Sequence, residues 1–355
     1  MTKTVLVTGG AGFVGSSLAI RLKKNYPAYR VIALDNLKRR GSELNLFRLK
    51  EAEIEFVHGD IRNTEDFDKL PFVNTVIEAS AEPSVLAGVN EPPNYVVNTN
   101  LLGTINCLNF AVKNQSDFIF LSTSRVYPIE NIEQIRFEEN STRFAVSPIQ
   151  ILAGVSEKGI SENFPLEGYR SIYGATKLCS ELLIAEYNKF YGLKTIVNRC
   201  GVLTGAWQMG KVDQGVIVLW MARHFWKQKL GYFGYGGMGK QVRDVLHVDD
   251  LYSLIDYQIH NQDKLNNQTF NVGGGNKTSV SLCELTELCR EISGNEIPIE
   301  RVAENRQADI RIYITDNSKV SQLTGWQPQT TVHGILEEIY DWLRENENSL
   351  RHILK

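Results

Sequence analysis

Short apolar runs separated by stretches of helical periodicity fill the first third of the chain. Runs rich in β-branched and aromatic residues stand at 4–7, 31–34, 54–57, 75–77 and 117–121. Between them, over 13–24 and 95–112, apolar residues recur at the three-to-four spacing of one helix face. Alternation of this kind builds βαβ units with right-handed crossovers, so the pattern predicts a doubly wound parallel sheet. From 127 to 169 the periodicity loosens into Glu-rich polar sequence carrying Ser147-Pro148 and Phe164-Pro165. So long a weakly patterned stretch reads as lining or covering a cleft.

A helix is expected over 173–190, where Leu178, Leu182, Leu183 and Tyr187 keep helical spacing, followed by a buried strand over 194–200. Beyond 205 the alternation is interrupted by Gly-rich loops at 231–239 and 273–275, with helices expected over 216–226, 281–292 and 332–345. The fold class is therefore α/β: a Rossmann doubly wound parallel sheet at 1–200, to which part of 240–275 returns, and a smaller, partly interleaved C-terminal α/β substrate domain at 201–355.

Composition sets limits on this picture. A chain of 355 residues, at roughly 150 per domain, suits two domains. With 43% hydrophobic and 22% charged residues it has the makings of an ordinary packed core rather than a disordered or coiled-coil chain. Its 38 Lys and Arg against 41 Asp and Glu leave a net charge of −3, which offers no basic field for nucleic acid. Cys107, Cys179, Cys200, Cys283 and Cys289 form no CxxC pair and no zinc-ligand spacing, so no metal is expected and the thiols read as idle. The apolar start stops at Gly9-Gly10, too early for a signal peptide, and the longest apolar run, 216–222, is far short of the ~18 residues that span a bilayer. A cytoplasmic location with no membrane partner is the expectation.

Candidate chemistry begins at Thr8-Gly9-Gly10-Ala11-Gly12-Phe13-Val14-Gly15, between the first strand and the first helix. Glycines at 9, 12 and 15 suit a tight turn, a close backbone approach to a pyrophosphate, and close helix packing. The helix start supplies unpaired N–H groups to the diphosphate. Asp35 ends the second strand 20 residues after Gly15, where an acid accepts both ribose hydroxyls of NAD and repels the 2′-phosphate of NADP. Lys38, Arg39 and Arg40 keep the NADP alternative open. Asp60 and Ile61 suit the adenine, although Asp60 serves equally as a cap for a helix from Asn63.

Among fourteen tyrosines, only Tyr173 has a lysine four residues on, Lys177. On a helix the two share a face, so the ammonium favours the phenolate and the phenol becomes a general base for an alcohol. Thr123, at the carboxyl end of the fifth strand in Leu121-Ser122-Thr123-Ser124-Arg125-Val126-Tyr127, is placed to share the reacting proton. A surface tyrosine, a solvated lysine and a loop-capping threonine are the structural alternatives.

TGGAGFVG, Asp35-Asn36, the GDIRN from Gly59, the Ser/Thr strand end before VY, YGATK, and the segment from Gly239 to Asp250 occur in order over nearly the whole chain. Together they resemble the extended short-chain dehydrogenase/reductase family of NAD-dependent epimerases and dehydratases. That resemblance implies tightly bound NAD and a nucleotide-sugar substrate held by the C-terminal domain. It implies Tyr173 as base, Lys177 as its modulator and Thr123 as proton partner. Cofactor contacts are implied at Gly9, Gly12, Phe13, Val14, Gly15, Asp35, Asn36, Asp60, Ile61, Ala79, Ala81, Asn100, Tyr173 and Lys177. Substrate contacts are implied at Thr123, Ser124, Val202, Gln214, Arg243 and Arg306, the two arginines as diphosphate ligands.

Within the family, Asp213-Gln214-Gly215, Thr142-Arg143-Phe144 and 239–247 look most like members acting at C2 of a CDP-linked sugar. A UDP- or GDP-hexose 4-epimerase and a non-catalytic NAD sensor are the alternatives. Three departures stand out: Glu78 where many relatives have histidine, Val202 for asparagine, and Pro128 for glycine. Ser124-Arg125 replaces the Asp-Glu pair of dehydratases, which disfavours 4,6-dehydration. The helices at 95–112 and 173–190 resemble those that form a dimer face in this family, so a homodimer is expected, with a tetramer open.

Overall fold

The computed structural model describes residues 2–89, 91–210 and 214–354. The apolar runs of the N-terminal third become β1 (Thr4–Thr8), β2 (Arg30–Asp35), β3 (Glu55–His58), β4 (Thr75–Glu78) and β5 (Asp117–Thr123). β1, β2, β4 and β5 are buried nearly throughout, as strands covered on both faces must be. Two further strands, β6 (Thr195–Cys200) and β7 (Gln268–Val272), complete a seven-stranded sheet in the order β7-β6-β5-β4-β1-β2-β3. The pairs β1–β2, β2–β3, β1–β4 and β4–β5 are parallel. Strand order reverses between β1 and β4, where an open α/β sheet leaves a crevice beyond its carboxyl ends.

Helix α1 (Phe13–Asn25) follows β1 directly, α2 (Gly103–Asn114) precedes β5, and α3 (Ile172–Tyr191) precedes β6. Cys107, Leu108 and Ala111 of α2 and Ile184 of α3 join Leu6, Val76, Phe118 and Phe120 of the sheet in one apolar cluster. The expected helix over 95–112 is not uniform: a turn at Asn94–Val97 passes through a π-helical turn at Asn98–Leu102 before α2 begins. Such turns often mark functional sites.

The chain divides into two compact units, the first comprising Met1–Val126, Ser171–Arg199 and Leu251–Phe270, the second Tyr127–Arg170, Cys200–Asp250 and Asn271–Lys355. The returning segment contains most of helix α4 (Val248–His260), which the periodicity reading did not pick out. It is tied to the first unit by hydrogen bonds of Tyr252 to Asn25 (2.8 Å), Asp256 to Tyr26 (3.2 Å) and His260 to Tyr29 (3.0 Å). The expected boundary at 200 needs correction for 127–170, which groups with the second unit and makes it as long as the first. Phe144 packs there on Val242, Ile312 and Ile314, and the Ile160 N–H donates to the Ile314 carbonyl. This stretch carries two short hairpins, Phe137–Glu139 with Phe144–Val146 and Val155–Ser156 with Gly159–Ile160, too brief to show as strand periodicity.

In the second unit, Val242–His247 pairs in parallel with Val202–Thr204 and Ile312–Tyr313 and antiparallel with Ser279–Ser281. Leu230–Phe233 pairs with Ile299–Val302. Helices Val216–Phe225, Leu282–Ser293 and Val332–Glu345 pack on one another, the second opening with a capping box of Ser281 and Glu284. Among the described residues no helix is long and apolar enough to cross a membrane.

Candidate active site

The turn after β1 is built around its glycines. Gly9 has φ +64°, and a Cβ there would lie 2.8 Å from the Ala79 carbonyl oxygen at the end of β4. A Cβ at Gly15 would lie 2.1 Å from the Gly9 carbonyl oxygen, so the first turn of α1 rests directly on the loop before it. Gly12 is the N-cap of α1 and brings no side chain to its N–H groups. The helix start therefore keeps donors and partial positive charge for an anion.

Asp35 at the end of β2 is latched to this turn, its carboxylate accepting the N–H of Ala11 (3.1 Å) and of Leu37 (2.7 Å). Burial pushes its carboxyl up, while the N–H donors of Leu37, Ala11 and Gly12 oppose the rise. Asp60 does not cap the following helix, whose N-cap is Asn63 without a side-chain bond. Its carboxylate instead accepts from Asn36 Nδ2 (2.8 Å) and pairs with Arg62 Nη2 (2.6 Å). Burial alone would raise its pKa, but the Arg62 and Asn36 donors bring it down to about 2. Arg62 and Lys38 both lie over the Tyr95 ring, 5.0 and 5.3 Å from its centroid. Phe13, Val14, Asn36, Ala79 and Ala81 are half-buried around this edge, whereas Ile61 is buried.

Tyr173 and Lys177 share one face of α3, whose N-cap Ser171 accepts from the Gly174 N–H at 3.2 Å. Both are buried, Tyr173 to 8% exposure against Ala87 and Val96, and Lys177 to 1%. The Lys177 ammonium lies 3.8 Å from the ring centroid of Phe120, the middle residue of β5 and the partner of the last residue of β4. Thr123 ends that strand, and its hydroxyl accepts the Arg125 N–H at 3.2 Å. A tyrosine, a lysine and a strand-end threonine thus all belong to the first unit, together with the glycine turn. Ser124, half-buried, opens the short turn after β5.

Asn100 is the residue expected either as a cofactor contact or as a helix-packing residue of the catalytic-tyrosine region. It is fully buried in the π-helical turn, with Oδ1 accepting the Glu82 N–H (2.8 Å) and Nδ2 donating to the Glu82 carbonyl (3.1 Å) and the Thr176 hydroxyl (3.3 Å). Its amide is consumed in tying the loop after β4 to α3, one turn from Tyr173. Sequence reasoning also missed a buried ion pair beneath the site. Glu181 of α3 meets Arg199 of β6 at 2.7 Å and accepts from Ser122 as well.

The substrate residues nominated from sequence lie in the second unit, apart from Thr123 and Ser124. Arg243 is held by Asp309 (2.9 Å) and by the carbonyls of Ile310 (2.6 Å) and Val242 (2.8 Å). Arg306 is exposed, its guanidinium stacked 3.8 Å from the Phe233 ring centroid. Val202 pairs with Val245 in the sheet, and Gln214 is half-buried. Thr142 and Arg143 bond to Glu284 (2.9 Å) and Ser279 (3.0 Å). Asp213 lies outside the described residues.

A glycine cradle that a Cβ would fill, an uncapped helix start and an acid closing β2 fit a dinucleotide. The comparisons with known proteins agree. Residues 5–273 match the model of the NAD dependent epimerase/dehydratase family, and the chain belongs to that family of NAD-dependent enzymes. It is 30% identical to the CDP-paratose 2-epimerase of Salmonella typhi over 349 residues, covering 95% of this chain and 98% of that protein. Among solved structures it resembles the UDP-glucose 4-epimerase of Thermotoga maritima with UDP-glucose, at 27% identity and a TM-score of 0.78 over 97% of this chain and 99% of that one. It equally resembles the dTDP-glucose 4,6-dehydratase of Bacillus anthracis in complex with NAD, at 26% identity and a TM-score of 0.78 over 99% of this chain and all of that one.

Proposed function

We propose that this chain inverts C2 of a CDP-linked dideoxyhexose, as a CDP-paratose 2-epimerase, by oxidising that carbon transiently. The observation that carries the reading is the placement of Tyr173 and Lys177 on one face of α3, with the lysine ammonium over Phe120 of β5, the strand that ends in Thr123. The C–H of an unactivated carbinol is far too weakly acidic for direct removal of a proton, so inversion requires oxidation first. Bound NAD+ supplies the hydride acceptor for that oxidation and the donor for its reversal, so net redox change is zero.

The chain's own residues handle the proton and the orientation. Tyr173, its phenolate favoured by the ammonium one helical turn on, takes the C2 hydroxyl proton and later returns it. Thr123 shares that proton. The 2-ketosugar turns and presents its other face. Phe13, Val14 and Gly15 at the start of α1 hold the cofactor diphosphate, and Asp35 holds the adenosine ribose. Arg243 and Arg306 bind the substrate diphosphate, which competes with Asp309 for the Arg243 guanidinium. Ser124, Val202 and Gln214 contact the sugar nucleotide. Leu182, Phe190 and Tyr191, each more than half exposed on α3, form part of a homodimer face.

Inversion at C4 of a UDP- or GDP-hexose is the second reading, favoured by the similarity to the Thermotoga maritima structure. Purified protein incubated without added NAD is the test, with CDP-paratose and UDP-glucose offered separately and products read by NMR. Conversion at C2 of the CDP-sugar, abolished in Tyr173→Phe with NAD retained, supports the proposal. Inversion at C4 of UDP-glucose alone supports the second reading, and a demand for stoichiometric external NAD refutes both.

A further inference from the structure

We propose that Glu78 is the buried counter-ion of Lys177 and, through it, a positioning residue that sets the acidity of Tyr173. This deepens the epimerase reading and rests on its choice of Tyr173 as base. Glu78 is the last residue of β4, fully buried, and the Cα partner of Phe120 on β5. Paired residues on neighbouring parallel strands, about 4.8 Å apart, point their side chains to the same face of the sheet. The Lys177 ammonium, reaching down from α3, lies 3.8 Å from the Phe120 ring centroid, so it stands over the sheet face that Glu78 and Phe120 share.

The carboxylate itself shows where a cation belongs. Its Oε1 accepts from the Thr104 hydroxyl of α2 at 2.8 Å, whereas Oε2 is buried without a hydrogen-bond partner. Lys177 is 1% exposed, and a lysine so desolvated loses its proton unless a negative charge faces it. Without that charge, the phenol four residues earlier would lose the field that acidifies it. Among the described residues the Cys107 thiol of α2 also faces the pair, and burial and then Glu78 push it up and keep it neutral. Burial pushes the Glu78 carboxyl up to about 7, with Lys177 first and Thr104 second in opposing the rise.

The test is a spectroscopic titration of Tyr173 in the NAD-loaded protein, read in the near-ultraviolet phenolate band as the difference from Tyr173→Phe. It needs no turnover, so a failure to epimerise CDP-sugars leaves it intact. Glu78→Gln should raise the midpoint by about one pH unit or more, and Glu78→Asp, which keeps the charge, by less than half as much. Should Glu78→Gln not fold, Thr104→Val strips a bond from the carboxylate, raises its pKa, and should move the phenol midpoint upward by a smaller step. Midpoints within about 0.2 pH unit of the parent in the folded Gln and Val variants would overturn the assignment.

Discussion

Two glycines of the first unit form a matched pair that isolates what the cofactor turn demands. Gly9 and Gly192 have nearly the same positive φ, +64° and +67°. An added Cβ at Gly192, the C-cap of α3, meets nothing within 4 Å, whereas at Gly9 it meets the Ala79 carbonyl oxygen at 2.8 Å and the Ser80 nitrogen at 2.9 Å. Alanine at either position costs about 1–2 kcal/mol for the left-handed conformation. At Gly9 it adds about 1–3 kcal/mol of overpacking, because the opposing atoms are backbone and cannot swing aside. That strain falls on the turn that holds the dinucleotide, so Gly9→Ala should bind NAD about five- to 150-fold more weakly. Calorimetric titration of cofactor-free protein, with melting curves taken with and without NAD, separates the two effects. Gly192→Ala should lose stability alone. Equal destabilisation of the two variants, or NAD affinity within about twofold of the parent in Gly9→Ala, would refute the reasoning.

Two further outcomes follow from ion pairs. Glu181→Gln leaves the Arg199 guanidinium, at 8% side-chain exposure, without its carboxylate, and should cost about 3–5 kcal/mol in urea denaturation of the parent against the variant. A cost below about 1 kcal/mol would mean that the pair is not the buried anchor described here. The Asp60 carboxyl sits at about 2, below its ordinary value, so the stability it contributes is present above about 4 and lost as pH falls through about 2. Arg62→Met should therefore melt lower than the parent by a constant margin above pH about 4, and that margin should shrink toward zero near pH about 2. Melting curves that stay parallel down to that pH would contradict it.

Local signals made much of the first unit legible in advance. The runs at 4–7, 31–34 and 75–77 are strands because they are β-rich and bounded by turn residues. The glycine motif is readable because each glycine answers a backbone requirement within a few residues, such as Gly15 against Gly9. The i, i+4 spacing of Tyr173 and Lys177 is likewise local. What stayed hidden depends on distant partners. Nothing near residue 144 announces that Phe144 packs on Val242 and Ile312. Nothing near 256 announces its bond to Tyr26. Arg243 reads as a free diphosphate ligand until Asp309, 66 positions away, is seen to hold it. Glu78 stood out as a departure from the family pattern, yet only the register of β4 with β5 gives it a neighbour.

The central claim is that one hydrogen leaves C2 and comes back to C2 while Tyr173 carries only the hydroxyl proton. Substrate deuterated at C2 and turned over in ordinary water tests it most directly. The account predicts that the epimer retains its deuterium at C2 with no NAD added to the reaction. Wash-out of the label into solvent during inversion would contradict it.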